Sequence, residues 1–362
     1  MKVVDMKMTR ILRGSLAKAA LGLTMISAAP AFASTINLDV GTSQPVVIDN
    51  SQPIKIALFI EIGTNSAVQA TVGGARSEAA KHNIKVDVFD ARFDIARQVN
   101  QMQNALNGGY NAWIVAAIEG QQVCNMAAVE APKHNIVVAV VTMSICGHSV
   151  NEGDKMWSPG TLTYVGGNEA PSAFEAVMLQ AIKDRPGPLK VGLLTGQPLH
   201  PITKAFDKAV ADVRKQHPEF EVAATYRTDY SPEMNQQKTQ AMLLSHPEVN
   251  TIVGVYTNMS KGVVPALEAA GRLGQVNVYE NGGTTWSVEA LQKGWIKATT
   301  GYYRASAAAA AAAVQAIVDV WAGKPVPRAI MNDGHKLLPD QPAGKVAVIT
   351  TANLAEYTPQ SP

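Results

Sequence analysis

The amino-acid sequence predicts an α/β protein made of two similar lobes, each built on a parallel sheet. Three observations lead to this prediction. Short apolar segments rich in β-branched residues alternate with segments of helical periodicity from residue 54 onward. A turn signal, Arg-Pro-Gly-Pro at 185–188, interrupts this alternation, which then begins again. A polar loop follows each predicted strand, and parallel sheets bind ligands outside the carboxyl ends of their strands.

The first array of strands and helices extends from residue 54 to about residue 165. Its opening segment, 54–60, reads Ile-Lys-Ile-Ala-Leu-Phe-Ile and is short enough for one buried strand. A long polar stretch at 147–163 predicts a loop or flap before the last strand of the array. Further strands are expected at 84–89, 112–117, 136–142 and 163–167, with helices at 68–81 and 94–106.

The second array repeats this pattern after the turn. An alanine run at 307–313 belongs to a predicted helix at 304–321, because alanine has the highest helix propensity and a smooth face that packs closely on a sheet. Strands are expected at 189–194, 220–226, 251–255, 276–279 and 346–350, and helices at 168–183, 202–216 and 261–270, with two more ending near 244 and 292.

The N-terminus has the features of a secretory signal peptide. Basic residues precede an apolar run at 19–29, which is too short to span a bilayer and ends in Ala31-Phe-Ala33. We therefore expect cleavage after Ala33 and export to the periplasm, with residues 34–53 forming an extended lead-in. An uncleaved membrane anchor is the less favoured alternative.

The composition is that of a soluble globular protein, and it gives no sign of a nucleic-acid partner. The chain has 362 residues, 47% of them apolar and 17% charged, and a net charge of +2. It contains no nucleophile elbow, phosphate loop, zinc-protease motif or dinucleotide fingerprint. His200 and Glu119 have no neighbour in sequence that would activate them as a base. We therefore expect neither enzymatic activity nor a cofactor.

The sequence contains two cysteines, Cys124 and Cys146, which follow the third and fourth predicted strands. An isolated pair at one edge of a sheet in an exported protein predicts a disulfide. Two free buried thiols are the alternative. A metal site that includes His148 would lack an evident fourth ligand, so we expect no bound metal.

The loops after the predicted strands supply candidate ligand-binding residues. Amide side chains offer paired donors and acceptors, and aromatic faces stack on the C–H surface of a small solute. Tyr230 or Trp286 could instead fill a lobe surface, and Asn281, next to a glycine, could hold a turn. The candidates are Asn65, Ser66, Arg92, Glu119, Tyr230, Tyr256, Asn258, Asn281, Trp286 and Tyr302.

Several stretches of the chain resemble the type I periplasmic binding proteins of the ribose-binding and galactose-binding kind, which supply ABC importers. The stretches are 54–65, 98–115, 246–258, 262–271 and 291–299. The resemblance covers almost all of the mature chain and implies two Rossmann-like lobes joined by a three-crossing hinge, which closes over a solute. It implies an N-terminal lobe of 54–165 plus 302–324 and a C-terminal lobe of 166–301 plus 325–362.

The resemblance also implies a binding site, which departs from that of the sugar-binding relatives. Asn65 matches the family's asparagine after the first strand, whereas Ala67 and Val68 replace two aromatic residues. Met143 and Ser144 stand in place of an Asp-Arg pair. The other implied positions are His200 or Ile202, near a sugar-binding arginine; Tyr230, at an aromatic position; the segment from Tyr256 to Asn258; Asn281, in place of an aspartate; and Tyr302, in place of a hinge glutamine.

Loss of the charged pair predicts an uncharged lining that holds polyhydroxylated rings less firmly. We therefore expect a less hydroxylated solute, such as a small polyol, a modified sugar or an amine-like osmolyte. The implied function is that of a monomeric periplasmic binding protein that delivers a small polar solute to an inner-membrane ABC permease. The alternative is a sensory binding protein that presents its solute to a membrane histidine kinase.

Overall fold

A computed structural model describes residues 35–167, 169–185, 187–301, 306–331, 336–341 and 346–359. The predicted signal peptide and Tyr302 lie outside these residues. Within them the chain forms two six-stranded sheets and one two-stranded sheet. Helices pack against both large sheets, so the molecule has the two-lobed α/β architecture that the sequence predicts.

The first described residues form a β-hairpin, whose strand pairing the sequence did not predict. Strand β1 (Thr35–Leu38) pairs antiparallel with β2 (Val46–Asp49). Burial alternates along β2, and Val46 and Ile48 pack into the core of the first lobe. Each strand has only four residues, which is too short for its alternation to stand out in the sequence.

The first lobe contains a parallel sheet with the strand order β13-β7-β6-β5-β3-β4. Strand β3 (Lys55–Ile60), the first strand of this sheet along the chain, is buried from Ile56 to Ile60, as expected for a parallel sheet that is covered on both faces. The elements are β3 (Lys55–Ile60), α1 (Ser66–Lys81), β4 (Lys85–Asp90), α2 (Ile95–Ala105), β5 (Ala112–Val115), α3 (Gly120–Cys124), α4 (Ala131–Lys133), β6 (Val137–Thr142) and β7 (Thr163–Gly166). A π-helical stretch, Asn125–Glu130, joins α3 to α4.

The stretch at 147–163 connects β6 to β7, as predicted for a loop, and we call it the insertion. It contains two 3₁₀ turns, His148–Val150 and Gly153–Met156. The predicted disulfide between Cys124 and Cys146 is present at its base. Because both sulfur atoms are used in this bond, the free-thiol and metal-site alternatives are excluded.

The second lobe contains a sheet with the order β14-β12-β11-β10-β8-β9, in which β14 is antiparallel to its neighbour. Its elements are α5 (Pro171–Asp184), β8 (Leu189–Thr195), α6 (Pro201–Gln216), β9 (Phe220–Arg227), α7 (Pro232–Ser245), β10 (Thr251–Gly254), α8 (Thr257–Ala269), β11 (Asn277–Asn281), α9 (Thr285–Gln292), β12 (Ala298–Gly301) and β14 (Ala347–Thr350). A 3₁₀ turn, Leu354–Glu356, follows.

Among the described elements the chain passes from one sheet to the other three times, after β7, after β12 and after β13. Helix α10 (Ser306–Trp321) packs on α1 in the first lobe. A Cβ atom at Gly74 would lie 2.1 Å from the backbone oxygen of Ala307, so this glycine and the alanine run allow the two helices to approach closely. Strand β13 (Ala329–Ile330) belongs to the first sheet, whereas the sequence assigned residues after 324 to the second lobe.

None of the described helices combines the length and the apolar character that a membrane span requires.

Candidate ligand-binding site

A cavity of about 680 Å³ lies between the two lobes. The first lobe contributes residues that follow β3, β4 and β6, and the second contributes residues that follow β8, β9, β10 and β11. The carboxyl ends of both parallel sheets therefore meet at one space, which is where this class of sheet binds ligands. Its volume lies within the range of small-molecule pockets.

Unusual backbone geometry accompanies the cavity. Phe93, Thr142 and Tyr230 line it and have left-handed φ angles of 59°, 66° and 66°. This conformation is unfavourable for residues other than glycine, by on the order of 1–3 kcal/mol each. Such strain is common at ligand sites, and it persists only where the surrounding fold holds the residues in place. Each of these residues lies at or just after the end of a strand.

Four ring side chains form a cluster on one side of the cavity. The ring of His200 lies 6.0 Å from that of Phe93 and 5.3 Å from that of Tyr230, and Tyr230 lies 5.8 Å from Tyr256. The Tyr230 hydroxyl is 2.9 Å from the Thr203 hydroxyl, and burial raises its pKa well above the usual value. Tyr230 therefore presents its ring, rather than an ionised oxygen, to a ligand.

Two buried carboxylates also line the cavity, so the prediction of an uncharged lining is wrong. Glu61 is 8% exposed and Glu169 is 6% exposed. Burial, and then the charge of Glu61, raise the pKa of Glu169 well above its ordinary value. The Glu61 Oε2 atom lies 3.6 Å from Nε2 of His200, which belongs to the other lobe.

Several buried polar atoms in this cavity have no hydrogen-bond partner within the described chain. They are Oε2 of Glu169 and both ring nitrogens of His200. His200 is only 3% exposed. Burying an unsatisfied polar group costs about 1–3 kcal/mol, so native proteins almost always pair such groups. A solute with hydrogen-bonding groups would satisfy them.

Most of the sequence-predicted site residues meet at the cavity. Asn65 lines it and also caps α1, since its Oδ1 accepts hydrogen bonds from the amides of Ala67 and Val68 at 2.9 and 3.3 Å. Asn281 accepts a 2.6 Å hydrogen bond from the Thr300 hydroxyl. The predicted residues in the lining are Asn65, Met143, His200, Tyr230, Tyr256, Asn258 and Asn281.

Three other predicted residues, Arg92, Ser144 and Trp286, lie elsewhere. Arg92 is exposed and outside the lining, and its neighbour Phe93 faces the cavity instead. Ser144 is buried outside the lining. Trp286 packs beside Trp295 on the second lobe and does not reach the cavity. Ser66 is the first residue of α1.

Glu119 makes a contact between the lobes rather than with the cavity. Its Oε2 accepts a hydrogen bond from the Gln122 amide at 2.7 Å, which caps α3. Its Oε1 lies 3.1 Å from Nζ of Lys204 on α6. This ion pair joins the first lobe to the second across the cleft.

Sequence reasoning indicated the loops 61–66 and 90–94, which contain Glu61 and Phe93, but named neither residue as a ligand contact, and it did not single out Glu169. Each follows a strand, in the loops where ligand residues were expected, so their position was a usable signal. Their burial was not visible in the sequence, because acidic residues in polar loops are usually exposed.

Comparison with known proteins places the fold. The family model described as "Periplasmic binding protein domain" matches residues 56–325. No curated protein matches the chain in sequence. The structure is similar to that of a Caulobacter myo-inositol binding protein, with a TM-score of 0.71 and 19% identity over 84% of this chain and 96% of that chain.

Two further solved structures share the fold. One is an ABC transporter solute binding protein from Bacillus halodurans with bound myo-inositol, with a TM-score of 0.71 and 18% identity over 85% of this chain and 99% of that one. The other is a periplasmic ribose ABC transporter protein from Conexibacter woesei, with a TM-score of 0.64 and 17% identity over 84% of this chain and 93% of that one. Since the family model spans most of the chain, the protein belongs to the family of periplasmic binding protein domains.

Proposed function

We propose that this protein captures a small polar solute, a sugar, polyol or related compound, between its two lobes and delivers it to an ABC permease. The observation that carries the proposal is the interlobe cavity, where buried polar atoms of Glu169 and His200 lack partners within the described chain. Reversible capture of a small solute explains these atoms. The family is one of binding proteins, and we propose no catalytic step.

The solutes bound by proteins of similar structure support this class of ligand. Two of them hold myo-inositol, and one from Mycobacterium smegmatis holds glycerol. Here Ala67 and Val68 line the cavity from the first turn of α1, which leaves a small apolar surface beside the polar groups. A compact polyhydroxylated body fits that combination of apolar and polar surface.

Location and organisation form part of the proposal. Cleavage after Ala33 would release a monomeric protein into the periplasm, where it would meet an inner-membrane permease. We propose one lobe from residue 54 to about 165 that includes α10, and a second from about 166 to 301 that includes the C-terminal strand. Because β13 pairs with β7, we place the last crossing after residue 330.

A sensory protein that presents its solute to a histidine kinase would use the same lobes and the same cavity. No feature of the described site favours that role. Gene neighbourhood separates the two functions, since a permease and an ATPase would accompany an importer, whereas a kinase would accompany a sensor.

A thermal-shift screen tests the proposal directly. Protein purified from the periplasm is heated with sugars, polyols, amines and organic acids. A ligand at 100 times its Kd stabilises the folded state by about 2.7 kcal/mol, which raises the melting temperature by several degrees. Stoichiometric binding without turnover is the expected outcome. Conversion of the bound compound into a product would contradict the proposal.

A further inference from the structure

The cavity contains more buried carboxyl groups than a neutral solute requires. Glu61 and Glu169 line the same space and are both more than nine-tenths buried. Asp229 and Glu233, which are exposed, add two more carboxylates to its lining. A buried carboxylate is strongly unfavourable unless it is paired with a cation or with several donors.

The described lining supplies little positive charge to balance these groups. Lys261 is its one lysine, and none of its described members is an arginine. His200 lies beside Glu61, but 3.6 Å is longer than a hydrogen bond, and both of its ring nitrogens lack partners within the described chain. The Glu169 Oε2 atom is likewise unpartnered.

The rings beside the carboxylates suit a cationic solute. Phe93, Tyr230 and Tyr256 line the same cavity, and the hydroxyl of Tyr230 is engaged by Thr203. The face of an aromatic ring attracts an ammonium group and also packs on C–H surface. Carboxylates at one side and ring faces at another can therefore hold an amine and the carbon body that carries it.

We propose that the solute is an amine-bearing polyol or amino sugar, whose ammonium group binds between Glu61 and Glu169 while its body contacts the rings of Phe93, Tyr230 and Tyr256. This inference rests on the proposed function and adds the charge of the solute. The ammonium group donates to Oε2 of Glu169, and hydroxyl groups pair with the nitrogens of His200.

The ionisation of Glu169 gives the binding reaction a signature. Burial and Glu61 raise its pKa, so the carboxyl group in the unliganded protein keeps its proton to a higher pH than an ordinary glutamate does. Tyr164, whose own pKa is raised by burial and by the charge of Glu169, interacts with it, and the other titratable or charged groups of the same lining are His200, Asp229, Glu233 and Lys261. An ammonium solute displaces that proton, so its affinity rises with pH as long as the amine remains charged. A neutral polyol leaves the proton in place.

Matched pairs of compounds test the proposal. Isothermal titration calorimetry is carried out on protein purified from the periplasm with glycerol and 2-aminopropane-1,3-diol, glucose and glucosamine, and myo-inositol and its monoamino analogue. In each pair one hydroxyl is replaced by an amine. We expect the amine of at least one pair to bind about 10–100-fold more tightly than its neutral partner, with release of a proton measured in two buffers.

Variants connect the preference to the carboxylate. Glu169→Gln should reduce affinity for the amine about 10–100-fold and affinity for the neutral partner much less. Glu268→Gln, on the exposed surface of α8, makes the same change in net charge and should alter neither the affinity for the amine nor that for its neutral partner. Equal losses for both members of a pair in Glu169→Gln would count against the proposal.

The outcomes separate this inference from the proposed function. If the neutral member of the best-bound pair binds more tightly than the amine, the proposal of a cationic solute is wrong. The proposed function of solute capture would still stand. If none of the six compounds binds, the inference fails together with the polyol and sugar class of the proposed function.

Discussion

At the scale of single residues, Glu169 is a buried carboxyl group whose ionisation affects stability as well as binding. Its pKa is raised in the folded protein, chiefly by burial, above the ordinary value of 4.5. A raised pKa means that the folded state binds the proton more tightly than the unfolded state does. The stabilisation is therefore fully present below pH 4.5 and is lost as the pH rises through the folded-state pKa.

We expect Glu169→Gln to stabilise the unliganded protein at about pH 8 and to have little effect near pH 4. The amide has the shape of the protonated carboxyl group and never ionises, so it avoids the unfavourable buried charge. Thermal unfolding of both proteins across this pH range measures the difference. A gain that does not vary with pH would show that Glu169 is not the group responsible.

A second residue-scale prediction concerns Gly196, which lies directly beneath the ring of Tyr230. A Cβ atom at this position would lie 1.8 Å from the Tyr230 hydroxyl oxygen. Gly196→Ala should therefore displace the ring, break its contact with Thr203 and weaken solute binding about tenfold. Overpacking should also lower the free energy of unfolding by about 1–3 kcal/mol.

Calorimetric titration and urea unfolding measure these two effects. Gly73→Ala is the matched control, because a Cβ atom at Gly73 meets nothing within 4 Å and the residue lies inside α1. That substitution should stabilise the helix by up to about 1 kcal/mol and leave the affinity unchanged. Similar effects of the two substitutions would contradict the role given to Gly196.

At the scale of elements, the disulfide fixes the start of the insertion to the helix that follows β5. Cys124 ends α3, and Cys146 immediately precedes the insertion, 22 residues later in the chain. Cross-linking a loop of this length stabilises the folded protein by about 3 kcal/mol, chiefly by restricting the unfolded chain.

Replacing both cysteines by serine should lower the free energy of unfolding by about that amount. Urea unfolding with and without reductant measures it, since reduction should affect the wild type and not the double variant. The oxidised native protein should show no reactive thiol, and two should appear after reduction. Free thiols in the untreated protein would contradict the bond.

Element prediction from the sequence depended on length and periodicity. Strands of the two large sheets were predicted where apolar residues run together, as at β3 and β6. The hairpin of β1 and β2, the four-residue strand β12 and the two-residue strand β13 were missed, because very short strands are defined by their partners rather than by their own sequence.

At the scale of the whole molecule, the lobes contact each other at several polar positions outside the cavity. The Glu152 carboxylate on the insertion accepts hydrogen bonds from the amide and the hydroxyl of Ser172 on α5, both at 2.8 Å. Glu119 pairs with Lys204 on α6. These contacts stabilise the arrangement in which the lobes enclose the cavity.

We expect Glu152→Gln combined with Ser172→Ala to shift the protein toward an open form and to raise the Kd for solute about fivefold. Hydrogen bonds to a charged group contribute about 1.5–3 kcal/mol when intact, and exposure at the surface reduces this. Small-angle scattering should show a larger radius of gyration for the unliganded variant, and excess solute should restore the wild-type value.

Asp154→Asn is the matched control, since it removes one charge from the same insertion without touching Ser172. An unchanged radius and affinity in the double variant would show that the insertion does not hold the lobes together. Solute should reduce the radius of gyration of the wild type if hinge closure accompanies binding.

The sequence by itself determined the lobes, most of their strands and helices, the disulfide and the family resemblance. These follow from local periodicity, turn residues and short motifs, which are carried by residues close together in the chain. It also located most of the cavity, because the ends of parallel strands meet at one edge of a sheet.

Only the tertiary structure decided the charge and the ring composition of the cavity. Burial of Glu61 and Glu169 depends on the approach of the two lobes, which brings together residues as distant in the chain as Glu61 and His200. Likewise, Arg92 and Phe93 both have left-handed φ angles, and it is Phe93, not Arg92, that lines the cavity. Burial and side-chain direction are properties of the packed chain, so no local pattern in the sequence specifies them.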